Sequence, residues 1–106
     1  MNLLFVCSRN QWRSPTAEAI YKTHQNLKVK SAGTESAAKI KLTSKMIVWA
    51  DIIFVMEKKH KQRILEKFET EASAKRIIIL EIEDEYKFMD PELINLITLQ
   101  VESYLE

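Results

Sequence analysis

The segment CSRNQWR, residues 7 to 13, places a thiol and a guanidinium six positions apart at the end of an apolar run. A thiolate is a strong nucleophile, and a guanidinium presents a planar fork matched to two oxygens of a phosphate. A loop joining a strand to a helix N-terminus also directs backbone N–H groups toward an anion. Together the amides, the helix dipole and Arg13 favour a sulfur anion at Cys7, so one loop could bind phosphate and attack it. Every residue from Cys7 through Ser8, Arg9, Asn10, Gln11 and Trp12 to Arg13 is a candidate phosphate-loop position.

Four further residues fit this chemistry. Ser14 follows Arg13 and can accept a helix N–H while donating its hydroxyl proton to the Cys7 sulfur. Asn10 suits a tight turn by backbone conformation or side-chain bonding. Asp84, in the acidic segment EIEDEY at 81 to 86, is the candidate proton donor for a departing alkoxide or phenolate. Asp90 is the alternative acid, although Pro91 behind it fits a helix cap. Trp12 either touches substrate at a rim or packs the loop, and Gly33 reads as a turn glycine. His24 and His60 read as boundary histidines with no catalytic task.

These residues need a scaffold that gathers loops at one end. Asn2 to Val6, Val29 to Ala32, Ile52 to Met56 and Arg76 to Leu80 read as short buried strands. Helical spacing follows each: Ser14 as cap and Pro15 as first residue, with an inward stripe reaching His24 and Leu27; Thr43 capping a helix to Ala50; Lys58 to Phe68, with Lys61, Ile64, Leu65 and Phe68 on one face; and a last helix from Pro91. Residues 69 to 75 read as a polar connection. Met89 and Ile94 stand at the two staple positions of the last helix. Alternating strands and helices imply an α/β fold, a four-stranded parallel sheet covered on both faces. Such sheets bind ligands beyond the carboxyl ends of their strands, where both the Cys7 loop and the acidic loop fall.

Composition sets the outer bounds. The 106 residues suit one domain spanning 1–106, with no linker or repeat. Sixteen basic against fifteen acidic residues leave a charge of +1, which gives no reason to expect nucleic acid or a membrane as partner. The opening MNLLFV has no basic leader and no apolar run reaches spanning length, so a cytoplasmic location is expected. One cysteine cannot form an internal disulfide, and two histidines without clustered cysteines give no metal pattern.

VCSRNQWRSPTAE, with SAGT at 31 to 34, WADIIFVME at 49 to 57 and DEY at 84 to 86, resembles the low-molecular-weight protein tyrosine phosphatases. The resemblance implies a flavodoxin-like three-layer fold and hydrolysis of a phosphotyrosine-containing protein or small aryl phosphate through a phosphocysteine, releasing inorganic phosphate without metal or organic cofactor. It assigns Cys7 as nucleophile, Arg13 as phosphate clamp, Ser14 and Asn10 as supports of the thiolate and loop, Asp84 as general acid and Tyr86 as the aromatic beside it. Three departures stand out: Arg9 where the family has glycine, Trp12 where many members have a second cysteine, and Glu85 where a proline follows the acid. Residues 34 to 42 look shortened, implying an open mouth with Trp12 and Tyr86 as aromatic surfaces at its rim. Alternatives are a phosphocysteine carrier domain, an arsenate reductase-like enzyme using an external thiol, and a noncatalytic phosphate-binding module.

Overall fold

The computed structural model describes residues 1–105. Four strands, β1 (Asn2–Cys7), β2 (Lys28–Gly33), β3 (Ile52–Val55) and β4 (Arg76–Ile79), pair in parallel in the order β2-β1-β3-β4. The helices are α1 (Arg13–Tyr21), α2 (Ser44–Trp49), α3 (Lys58–Lys67), a single turn α4 (Glu69–Ala72) and α5 (Pro91–Val101), with a 3₁₀ turn at Glu102–Tyr104.

Alternation along β1 divides the core in two. Leu3, Phe5 and Cys7 face Ala17 and Tyr21 of α1 and Leu93, Ile97 and Val101 of α5. Leu4 and Val6 face Ile47 of α2, Ile64 of α3 and Ala72 of α4. Both faces of the sheet are thus covered, which is why the central strands β1 and β3 are apolar almost throughout, whereas the edge strand β2 carries Lys28 and Lys30 at its exposed start. This is the flavodoxin-like three-layer α/β arrangement expected from the sequence.

The strand order reverses at β1, since β2 lies on one side and β3 on the other. Loops leaving β1 and β3 diverge there and open a crevice at the carboxyl end of the sheet. Cys7 closes β1, and Glu57 stands two residues beyond β3.

Several local expectations change. Helix α1 starts at Arg13, with Trp12 at the cap position and no side-chain cap. Ser14 is therefore its second residue and Pro15 its third, still within the turn that needs no N–H partner. The helix ends at Tyr21, so His24 lies beyond it and is exposed rather than inward-facing. On α3 the buried positions are His60 and Ile64, whereas Leu65 is exposed. A single helical turn replaces part of the polar connection at 69 to 75. Thr43 does cap α2, its hydroxyl accepting the Met46 N–H at 3.3 Å.

Candidate active site

The carbonyls of Cys7, Ser8 and Arg9 accept hydrogen bonds from the amides of Thr34, Glu35 and Lys39, at 3.0, 2.9 and 3.0 Å. Because a trans peptide sets its N–H opposite its C=O, these bonds turn the next amides away from segment 34–39. Among the described residues, the amides of residues 9 to 12 donate no hydrogen bond within the protein. They form a ready anion cradle ahead of the N-terminus of α1.

Asn10 makes the bend possible. Its φ of 55° lies in the left-handed region, which asparagine tolerates better than most side chains. Its buried amide donates to Ser14 Oγ at 2.9 Å and Ser31 Oγ at 3.0 Å, and Ser31 in turn donates to Glu18. Arg9 lies outside the left-handed region, so this backbone does not require glycine there. Its side chain points outward, 3.7 Å from the Glu35 carboxylate.

Gly33 serves by its size. Its φ is negative, but an added Cβ would lie 2.6 Å from the Ser8 carbonyl oxygen and from Ala38 Cβ, and 2.9 Å from the Asn10 nitrogen. A side chain would push β2 away from the phosphate loop. The expected turn role is thus replaced by a close-packing role.

Cys7 Sγ is buried beneath the cradle, 3.0 Å from Ser14 Oγ. Ser14 accepts from Asn10, so its own proton has two acceptors in reach, the Ala32 carbonyl at 3.3 Å and the Cys7 sulfur, and a thiolate, being charged, is the stronger of them. This network replaces the expected use of Ser14 as a helix cap. Arg13 is 2 % exposed. Its Nη1 donates to Glu57 Oε2 and, at 2.8 Å, to the Ile82 carbonyl, while Nε lies 3.6 Å from Asp84 Oδ1. Among the described residues Nη2 has no partner, which leaves it for an anion in the cavity.

Glu57 and His60 were missed in the sequence reading. Burial works against the Glu57 charge, but the Arg13 hydrogen bond and the charges of Arg13 and Lys59 prevail and hold its carboxyl below the ordinary value, His60 adding to them only once acid protonates it. His60 is fully buried; Nδ1 accepts the Glu57 N–H at 3.0 Å and Nε2 lies 2.9 Å from Ser8 Oγ. The first bond fixes the proton on Nε2, so the imidazole donates to Ser8 and leaves the Ser8 hydroxyl proton for another acceptor. Burial, then the Arg13 charge, pushes the imidazole down to about 4, keeping it neutral near pH 7. A carboxylate and a histidine three positions apart, just beyond a buried strand at the sheet's reversal point, were the available signal.

One cavity of about 250 Å³ collects Cys7, Ser8, Arg9, Gln11, Trp12, Arg13, Asp84, Glu35 and Lys59. Asn10 lies behind it in the supporting network. Asp84 is 57 % exposed and sits at the tip of a three-residue turn closed by Glu85 N–H to Glu83 O at 2.9 Å. That turn supplies curvature without the proline expected at Glu85. Asp90 lies outside the cavity lining and caps α5, its Oδ1 accepting the Glu92 N–H at 2.9 Å. Tyr86 packs against the core and does not line this cavity. Trp12 does, half-buried at its edge. Among the described residues, no group of three or more His, Cys, Asp or Glu side chains is placed to hold a metal.

Residues 2–48 match the low molecular weight phosphotyrosine protein phosphatase family. That family segment contains β1, the whole phosphate loop, α1, β2 and most of α2. The chain is also similar to the YwlE arginine phosphatase from Geobacillus stearothermophilus, at 24 % identity and TM-score 0.72, covering 97 % of this chain and 92 % of that one. Wzb of Vibrio vulnificus, in complex with benzylphosphonate, shares 23 % identity with TM-score 0.76 over 97 % and 95 % of the two chains. The tyrosine phosphatase Wzb from Escherichia coli K30, in complex with phosphate, shares 22 % with TM-score 0.75 over 97 % and 94 %. No curated protein matches the sequence. These structural likenesses establish the fold over nearly the full chain, and the family match over residues 2–48 takes in Cys7 and the loop that follows it. No helix is long and apolar enough to cross a membrane among the described residues.

Proposed function

We propose that the chain hydrolyses phosphomonoesters with Cys7 as nucleophile, Arg13 as phosphate clamp and Asp84 as general acid. The observation that carries this reading is the meeting of all three on one cavity, with the Arg13 guanidinium between the loop and Asp84. The Cys7 sulfur attacks phosphorus and the bond to the leaving oxygen breaks as Asp84 protonates it. Arg13 and the loop amides hold the equatorial oxygens while charge redistributes. Water then attacks the phosphocysteine, giving its proton to Asp84, and phosphate leaves as the thiolate is restored.

Asp84 and Arg13 favour hydrolysis over a phosphocysteine carrier or a simple phosphate sensor, because each assists departure of an oxygen. Arsenate reduction by this chain would need an external thiol. The favoured substrate is phosphotyrosine or a related aryl phosphate, with Trp12 at the mouth. Phosphoarginine is the second reading. It is supported by the carboxylates Glu35 and Asp84 on the cavity, by Tyr86 lying outside the lining, and by the likeness to an arginine phosphatase.

The test is turnover of para-nitrophenyl phosphate in the presence of a chelator, by wild type and Cys7→Ser. Turnover is expected to vanish in the serine variant while inorganic phosphate still binds, since the cradle and Arg13 remain. Near-normal turnover by Cys7→Ser would remove Cys7 from the reaction. A peptide bearing phosphotyrosine and one bearing phosphoarginine then separate the two substrate readings.

A further inference from the structure

A second concavity of about 460 Å³ lies across Trp12 from the catalytic cavity and shares both Gln11 and Trp12 with it. Its other walls include Pro15, Ile40 and Phe88, together with Glu18, whose carboxylate is engaged by the Ser31 hydroxyl at 2.5 Å. Ile40 is 45 % and Phe88 53 % exposed, although both are large apolar side chains. They come from the two segments that flank the catalytic mouth, 34–42 and 83–90. Lys39 also lines this groove and makes no salt bridge among the described residues.

We propose that this groove receives the polypeptide flanking the phosphorylated residue of a protein substrate, taking an apolar side chain against Ile40 and Phe88 and an acidic one near Lys39. The inference rests on the phosphatase reading above. A phosphorylated residue seated on Cys7 fixes its own chain at the mouth, which makes nearby contacts effectively intramolecular. The groove adjoins that mouth through Trp12, and its apolar wall and cation define which sequence fits. Apolar contacts here add to binding without touching the reacting atoms. They therefore discriminate among protein substrates and leave a small aryl phosphate unaffected.

The experiment compares kcat/KM for para-nitrophenyl phosphate and for phosphotyrosine peptides whose flanks are Leu and Glu, Leu and Lys, or Gly and Ser. Wild type is expected to favour the Leu and Glu peptide over the Gly and Ser peptide by about 10-fold or more, the scale of one well-filled apolar contact. The double substitution Ile40→Ser with Phe88→Ser should bring that preference within about twofold, with para-nitrophenyl phosphate turnover unchanged because neither side chain lines the catalytic cavity, and with only a small loss of thermal stability because each is about half exposed. Lys39→Glu should reverse the order of the Glu and Lys peptides. Equal use of all peptides by wild type, or a preference that survives the double substitution, overturns the proposal while phosphatase activity stands. Sedimentation at several concentrations adds a further arm: a dimer lost in the double variant with peptide preference intact would make the groove a contact between copies and overturn the proposal. No turnover of any substrate overturns the phosphatase reading, and this inference with it.

Discussion

Arg13 and Asp84 reach the same cavity from two loops held in opposite ways. The Cys7 to Arg13 loop is fixed from behind: three carbonyls are tied to segment 34–39, Asn10 is buried in a serine network, and Arg13 is clamped by Glu57 and the Ile82 carbonyl. The 81–90 segment is anchored near its ends, by Ile82 N–H to Met56 O at 2.8 Å and Met89 N–H to Thr16 Oγ1 at 2.9 Å, while Asp84 between them is exposed. The contrast matches the two tasks. Stabilising charge on phosphorus requires donors already in place. Delivering a proton requires an acid that can meet leaving groups of different size. Losses in the first loop should therefore fall on every substrate, and losses in the second should depend on the leaving group.

Arg13→Lys should give the largest effect and tests the first half of that contrast. Lysine keeps the charge but cannot bind Glu57, the Ile82 carbonyl and two phosphate oxygens at once. A fall in kcat/KM of about 100-fold or more is expected, equal for good and poor leaving groups. Full efficiency in a folded lysine variant would show that charge alone suffices and that the built fork is unnecessary.

Asp84→Asn tests the second half. The amide cannot supply the proton, so turnover of an alkyl phosphate should fall by about 100-fold, while para-nitrophenyl phosphate, whose leaving group departs with little protonation, changes far less. A uniform loss across leaving groups would instead make Asp84 a partner of Arg13, at 3.6 Å from its Nε, and move the acid role elsewhere.

Strands β1, β3 and β4 were legible because a doubly covered parallel sheet demands apolar runs, and these stand out in a chain that is 29 % charged. The spacing of Cys7, Arg13 and Ser14 was legible because local chain geometry sets it. What escaped depends on contacts between distant segments. Glu57 is 44 residues from Arg13, and His60 is 52 from Ser8. His60 read as a boundary residue because nothing local shows that a serine from another loop will meet it. The same limit applied to Ser14: its type favours a cap, but tertiary bonds to Asn10 and Cys7 outweigh that preference. Gly33 was noticed for the wrong physical reason, since no sequence pattern reveals that the phosphate loop will press against its Cα.

His60 offers a pH test of how firmly the first loop is built. Above its ordinary 6.5 the imidazole is neutral in folded and unfolded chains alike. As pH falls through 6.5 the unfolded chain takes up a proton that the folded chain refuses until about 4, so stability declines across that window. The full loss from this residue is roughly 3 kcal/mol, taking about 1.4 kcal/mol for each unit between the two values. Glu57 shifts in the same direction and extends the loss to lower pH: its lowered carboxyl gives stability above the unfolded value of 4.5 that disappears as pH falls through the folded one. His60→Gln should flatten the decline between 6.5 and 4 seen by denaturant unfolding. An unchanged slope would mean that another group carries it.

Asp90→Ala should give the smallest effect and separates the two aspartates of the 81–90 segment. Asp90 accepts from the Glu92 N–H ahead of α5, and Pro91 is the helix's first residue, so capping accounts for its place. Loss of the cap should lower stability by about 0.5 to 2 kcal/mol. Because α5 buries Leu93, Ile97 and Val101 against the sheet face that carries Cys7, fraying at its start could loosen the acid segment as well. In that case turnover would fall slightly and alike for all leaving groups, and a stabilising osmolyte would restore it. A leaving-group dependence in Asp90→Ala, absent from Asp84→Asn, would transfer the acid role to Asp90. It would also show that the 81–90 segment swings farther than its anchors at Ile82 and Met89 allow here.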